Sequence, residues 1–401
     1  MKIYLFIPSR IYGGAERQMA LLAREIFFSG ADVTVIDSPN RVVADMLSDE
    51  PDIRILEYSD SKKLLIKDSL IISQASYAFC IDKMLDLENC EVRFWFMHPI
   101  SLPHMFICLR LKLLGKILKA LLSPLYKDKI FKLKEWFYYQ VPDSKNTLSD
   151  FYNIALTNNI TYALLDHNLD TPQKEISDQF SRNIFWLGRL DNSSKLFFLK
   201  KLIKDFTEAR SKLDLSTLNI IGSGQGQKEL ERYVRKLGIE RSVIFHGEQS
   251  YDRLTFLLRD SLILFAQGTS VYEGVRASIP VVVADFFMNQ ELADNSRYKL
   301  YSSFEDLTLG KLVDSEHQLD ALGSSSLIDL IELAQLKEER RNIVKSQSLK
   351  MKRAIKQGKD GCHSLYSSPL IVNEDFRIIS CIDWSFFKFR NFWIKVTNRK
   401  N

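Results

Sequence analysis

Apolar positions along the chain alternate between two periods, and the alternation runs in the same order twice. The first half opens on "KIYLFIP", a short apolar run of strand character, followed by the loop "SRIYGG". A helix is predicted from Ala15 to about Ser29, because Met19, Leu22 and Ile26 recur at helical spacing. "ADVTVID" reads as a second strand, and "SLIISQA" and "VRFWFMH" as further β-rich runs. The second half opens with the strand "NIFWLGRL" and a helix containing "KLFFLKKLIKDFTEA". Strand "LNIIGSG", helix "QKELERYVRKLG", strand "SVIFHG", helix "YDRLTFLLRD" and strand "LILFA" follow. Short strands alternating with longer helices predict parallel sheets. The expected fold class is α/β, with two Rossmann-like domains facing across a cleft. The polar stretch 167–183, "HNLDTPQKEISDQFSRN", lacks apolar periodicity and marks the joint. Domains are expected over 1–170 and 180–365, with 366–401 packing back on the first.

Composition narrows the class. With 401 residues the chain can bury two cores. Cysteines stand at 80, 90, 108, 362 and 381 with no C-x-x-C spacing and no metal-type Cys/His cluster, which suits reduced thiols in a cytosol. "MKIYLFIPSR" turns polar after seven residues and carries no signal-peptide cleavage pattern. No window reaches the roughly 18 uninterrupted apolar residues of a spanning helix. The expectation is a cytoplasmic protein, soluble or peripheral on a membrane. The net charge of +5 is unevenly spread. Residues 105–138 hold eight basic and two acidic residues, and 384–401 hold five basic residues and no acid. Such local basicity points to an anionic partner.

Glycines stand where strands feed helices. Gly13 and Gly14 follow the first strand, and Gly222 and Gly224 sit in "GSGQG". Such pairs either let a backbone approach phosphate or serve turn chemistry alone. A dinucleotide fingerprint fails, since Gln227 stands where its third glycine would fall. "GTSVYEGVRASIPVVVAD" (268–285) reads as loop, short helix, Pro280 and strand, with Glu273 near the helix start.

Four segments, taken in order, resemble the family-4 retaining glycosyltransferases of the GT-B fold, of bacterial surface-polysaccharide type. They are "GGAERQMALLAREI", "GRLDNSSK", "LNIIGSGQGQKELERYVRKLGIERSVIFHG" and "GTSVYEGVRASIPVVVAD". The resemblance covers about residues 1–30 and 184–285. It implies transfer of a sugar from a nucleotide-sugar donor with retention of anomeric configuration. It also implies donor contacts from Gly13, Gly14, Arg189, Lys195, Gly222, His246, Gly268, Thr269, Ser270 and Glu273. Arg189 offers a planar fork and Lys195 a mobile charge to the leaving diphosphate, where fixed cations lower the barrier. The plainer reading makes both ordinary surface cations. The N–H groups of Gly268, Thr269 and Ser270 can supply further donors at a helix entry. His98, closing "RFWFMHP", resembles the family's histidine facing donor sugar and acceptor, where a neutral ring can accept a hydrogen bond or a proton. It also reads as a lone histidine after an aromatic strand.

The resemblance departs at one position. The family carries two glutamates separated by seven residues, and Glu273, seven before Pro280, matches the second, which binds the donor ribose. A carboxylate suits vicinal hydroxyls because it accepts from both; alternatively Glu273 is only a helix-start acid. The first glutamate would fall at Phe265, which leaves the sugar contact unassigned. A strict D-x-D motif is absent and Asp86-Leu87-Glu88 substitutes poorly, so no metal or other cofactor is expected.

The stretch 105–139 places Lys112, Lys116, Lys119 and Ser123 on one helical face among leucines. That pattern suits a membrane interface, where each cation contributes on the order of 1 kcal/mol, or a core helix with a solvated stripe. The expected partners are a nucleotide-sugar donor, a glycan or lipid-linked acceptor and an anionic membrane surface, on the inner face of the cytoplasmic membrane. No nucleic acid is expected, since no binding module surrounds the basic residues. The rival readings are a nucleotide-sugar epimerase of the same fold and a degenerate, non-catalytic transferase subunit.

Overall fold

The computed structural model describes residues 2–9, 12–59, 61–110, 112–162, 181–191, 194–305, 307–321 and 323–367. Within these ranges, nothing is described of the side chains at 103, 106, 107, 110, 112, 113, 194, 251, 252, 320 and 321. Most of the polar joint and of the C-terminal segment, including all of 384–401, lies outside the described residues. The chain divides into two units, one of Met1–Asp166 with Ala354–Arg399 and one of His167–Arg353.

The first unit runs β1 (Lys2–Ile7), α1 (Gly14–Phe28), β2 (Asp32–Asp37), α2 (Val42–Met46), β3 (Arg54–Glu57), β4 (Leu64–Lys67) and β5 (Ser69–Gln74). It continues through β6 (Leu85–Glu88), β7 (Glu91–Phe96), α3 (Pro103–Arg110), α4 (Lys112–Leu133), β8 (Phe137–Tyr139) and α5 (Pro142–Tyr152). Six strands pair in parallel in the order β3-β2-β1-β5-β7-β8. Apolar clusters cover both faces, which is why "LIIS" and "VRFWF" read as runs rather than as alternation. The basic stretch is not one helix: α3 and α4 form a pair, and the sequence then turns into the buried strand β8.

The second unit runs β9 (Asn183–Leu187), α6 (Ser194–Leu213), β10 (Thr217–Ile221), α7 (Gln227–Leu237), β11 (Val243–Gly247), α8 (Tyr251–Leu258) and β12 (Ser261–Ala266). After these come α9 (Ser270–Arg276), β13 (Val281–Val283), β14 (Phe286–Phe287), α10 (Gln290–Asn295), β15 (Leu312–Val313), α11 (Leu327–Gln335) and α12 (Lys337–Ser367). The sheet order is β11-β10-β9-β12-β13, again all parallel. Both units are Rossmann-like, and α12 passes from the second into the first at Ala354.

The end of α12 is fastened within the first unit. Cys362, Leu365 and Tyr366 join its apolar cluster. Arg93 on β7, buried and ion-paired to Glu91 at 2.6 Å, donates from Nη1 to the carbonyl oxygen of Leu365 at 2.8 Å. Those late helix carbonyls lack intrahelical donors, so a buried guanidinium satisfies them.

Candidate active site

In each sheet the chain builds outward from one strand and then crosses to its other side. The resulting switch point lies between β9 and β12 in the second unit and between β1 and β5 in the first. Loops at the carboxyl ends of such strands diverge and leave a crevice for ligand.

In the second unit the loop after β9 carries Arg189. It is zipped to the loop after β10: Gly188 N–H donates to Ile221 O (3.1 Å), Leu190 N–H to Ser223 O (2.9 Å) and Gly226 N–H to Leu190 O (2.7 Å). A Cβ on Gly222 would lie 2.2 Å from the Gly188 carbonyl oxygen, and one on Gly224 2.4 Å from that of Leu190. These glycines therefore hold the Arg189 loop in place by close backbone approach. The Gly222 N–H itself is spent on Gly247 O at 2.8 Å.

Arg189 is half-exposed, with Nη2 3.4 Å from Asp191 Oδ2. Lys195 is half-buried in the first turn of α6. Burial, opposed by Asp191 and reinforced by Arg189, lowers its ammonium to about 8. At neutral pH it is still mostly charged, and a bound anion would stabilise that charge. Two cations and a loosely held carboxylate therefore stand together on this loop.

Across the switch point, β12 leads through Gln267–Thr269 into α9. The buried Gln267 Nε2 donates to the carbonyl oxygens of Ala284 (3.2 Å) and Asp285 (3.1 Å), tying this loop to the end of β13. Gly268 adopts φ +68°, and its N–H donates to Leu309 O at 2.8 Å. That leaves Thr269 and Ser270 as the N–H groups of the segment without a partner among the described residues. Glu273, 13% exposed, pairs with Arg276 one turn on, at 2.9 Å. A Cβ on the neighbouring Gly274 would meet Leu264 and Val281 side chains at 2.5 Å, so the glycine lets α9 lie directly on β12 and β13.

Phe265 is a strand residue, fully buried against Tyr298 and Phe198. The position counted for a first acid thus falls in the core, because the link from β12 to α9 is only three residues long. His246 lies on β11 with Nε2 2.8 Å from Asn219 Oδ1. Burial and nearby Arg253 lower its pKa, so the ring is neutral at cellular pH.

In the first unit, Gly13 precedes α1 in extended backbone and Gly14 is its first residue. His98 follows β7 on the same carboxyl edge, two strands from β1. Its Nδ1 accepts the Ile100 N–H at 3.0 Å, so the neutral ring carries its proton on Nε2.

Lys116 is exposed, whereas Lys119 turns onto the Phe151 ring, 4.2 Å from its centroid. The Lys112 side chain is among those not described. Around them α4 exposes Leu114, Ile117 and Leu121. Among the described residues no helix is long and apolar enough to cross a membrane.

Sequence reasoning passed over Asp191, Gln267 and Arg276. Asp191 stands inside the quoted "GRLD", and Arg276 is three residues after Glu273, a spacing that brings helical side chains together.

Residues 170–301 match the family model "Glycosyl transferases group 1". This segment is similar to a group 1 glycosyltransferase domain. No curated protein matches the chain. Among solved structures, a glycosyltransferase from Rickettsia africae ESF-5 superposes with a TM-score of 0.55 at 11% identity, covering 92% of this chain and 99% of that one. The apo form of the lipopolysaccharide outer core galactosyltransferase WaaB gives 0.50 at 14% identity, covering 91% and 99%. A trehalose-6-phosphate protein from E. coli bound with UDP-2-fluoro glucose gives 0.52 at 10%, covering 93% and 100%. These likenesses place the fold as GT-B, and the matched segment contains Arg189, Lys195 and Glu273.

Proposed function

We propose that this transferase moves a sugar from a nucleotide-sugar donor to a glycan or lipid-linked acceptor, with retention, in surface polysaccharide or lipopolysaccharide assembly. The observation that carries the donor reading is the switch-point site, where Arg189 and Lys195 stand on one side and α9 with Glu273 on the other. In this reading the two cations take the diphosphate, and their charge meets the negative charge that grows as the glycosidic bond breaks. No metal is required for that step. Glu273 accepts from the ribose hydroxyls, with Thr269 and Ser270 N–H groups donating to phosphate oxygens. His98, as an Nε2 donor, orients a sugar hydroxyl.

The acceptor reading draws support from the likeness to WaaB, a lipopolysaccharide outer core galactosyltransferase. Peripheral attachment to the inner face of the cytoplasmic membrane draws support from α4, where exposed Leu114, Ile117 and Leu121 accompany exposed Lys116.

Thermal unfolding of the purified protein against a panel of nucleotide sugars tests the donor reading, since a ligand bound only by the folded state raises Tm. One donor is expected to raise Tm, and Glu273→Gln to weaken its binding by roughly tenfold as a charge-assisted contact is lost. No stabilisation by any nucleotide sugar would remove the donor reading. Epimerised donor formed without acceptor would replace transfer by epimerisation.

A further inference from the structure

The most basic stretch of the chain is neither 105–138 nor the C-terminal end. Residues 340–359, inside α12, hold eight cations and no acid. Two of the eight face inward and cap backbone carbonyls. Arg340 donates to Leu262 O (2.6 Å) and Ser261 O (3.1 Å), and Lys350 to Tyr301 O (3.1 Å).

Lys345, Lys352, Arg353, Lys356 and Lys359 are exposed, and none has an ion-pair partner among the described residues. Positions 345, 349, 352, 356 and 359 fall at i, i+4, i+7, i+11 and i+14, so they share one face of the helix. That face extends about 21 Å at 1.5 Å per residue. Leu349, 60% exposed, stands on it among the cations.

A merely solvated helix mixes signs, as α7 does with Glu229 and Glu231 among its cations. Here Lys352 and Lys356 are like charges at i, i+4, which destabilise a helix on its own. A counter-surface of negative charge removes that cost.

We infer that the outward face of α12, from Lys345 to Lys359, docks on an anionic lipid surface. Lipid is favoured over a soluble polyanion by Leu349. A bilayer interface accepts an apolar side chain below the headgroups, while a polyphosphate chain or nucleic acid would leave it in water. The inference rests on the peripheral-membrane reading above and assigns it a contact that α4 does not provide.

The test is co-sedimentation of the full chain with phosphatidylglycerol-containing and pure phosphatidylcholine vesicles at low and high salt. Wild-type protein is expected to bind only the anionic vesicles, and less at high salt. Lys345→Glu/Lys352→Glu/Lys356→Glu should lower partitioning about tenfold or more. Lys345→Gln/Lys352→Gln/Lys356→Gln should fall between, and Leu349→Ser should weaken binding at both salt levels. Far-UV circular dichroism and an unchanged Tm keep a misfolded variant from counting as support. If wild type binds and both triple variants bind equally well, α12 is not the docking face and the membrane reading stands on α4. If wild type stays in the supernatant, or binds polyphosphate but no vesicle, the inference is overturned.

Discussion

Two arginines in this chain stand beside a carboxylate two residues away in opposite settings. Arg93 in the first unit is sealed in the sheet, paired to Glu91 at 2.6 Å and bonded to the α12 carbonyls. Its Nε donates to Glu91 and its Nη1 to the carbonyl oxygens of Ser364 (3.4 Å) and Leu365 (2.8 Å). Arg189 in the second unit is half-exposed at a switch point, and its partner Asp191 stands at 3.4 Å. A charge that is buried and fully bonded fixes structure, whereas one left loosely paired beside a second cation is available to a ligand. Sequence spacing does not separate the two; burial and the number of bonds do.

The largest effect should come from breaking the structural member. Arg93→Ala leaves Glu91 buried without its counter-charge and two helix carbonyls without a donor. A loss of about 3–5 kcal/mol is expected in urea unfolding. Arg93→Met with Glu91→Gln should recover much of it, because the buried charge goes with the cation. A loss under about 1 kcal/mol for Arg93→Ala would make the fastening of α12 dispensable.

Breaking the exposed member should do the reverse. Arg189→Ala is expected to leave unfolding within about 0.5 kcal/mol of wild type, as exposed pairs contribute little. Turnover should fall roughly a hundredfold or more, because charge on the leaving diphosphate loses a fixed partner. Steady-state transfer with saturating donor measures it. Near-wild-type turnover would put Arg189 among ordinary surface cations.

How far the sequence anticipates this contrast varies along the chain. The regular βα alternation from β9 to β13 is legible because each strand is a buried apolar run followed by an amphipathic helix. Strand β3 is not, since its residues "RILE" are exposed at both ends, and β8 hides at the end of a lysine-rich helix. The glycine motifs are visible as motifs, but the destinations of their N–H groups depend on loops far away. Gly268 donates to Leu309, some forty residues on, and its N–H is therefore engaged where a phosphate contact was expected. Phe265 falls inside the expected strand "LILFA", but its packing against Phe198 and Tyr298 involves residues far along the chain that the strand pattern does not name. The basic run 340–359 is countable in the sequence between Glu339 and Asp360, but only the helix separates its outward from its inward cations.

The smallest effect, and the finest test of the contrast, lies in Lys195. Burial lowers it to about 8, from 10.5 for an unhindered lysine. Below about 8 the folded protein holds a poorly solvated charge. Between about 8 and 10.5 the unfolded chain binds more protons than the folded one, so this group makes stability rise with pH across that window. Lys195→Met keeps the apolar stem and deletes the charge. It is expected to gain roughly 1–2 kcal/mol of stability at pH 7, with the gain shrinking toward about pH 9.5, where wild-type Lys195 has already lost its proton. Donor affinity should show the opposite dependence, falling in wild type as pH rises through 8 and staying low and flat in the variant. Such a residue destabilises the fold in exchange for an anion site. Unfolding free energies of both proteins at the two pH values decide it. A gap between them that stays constant with pH would mean that Lys195 titrates like a solvated lysine, and that its desolvated charge is no part of the site.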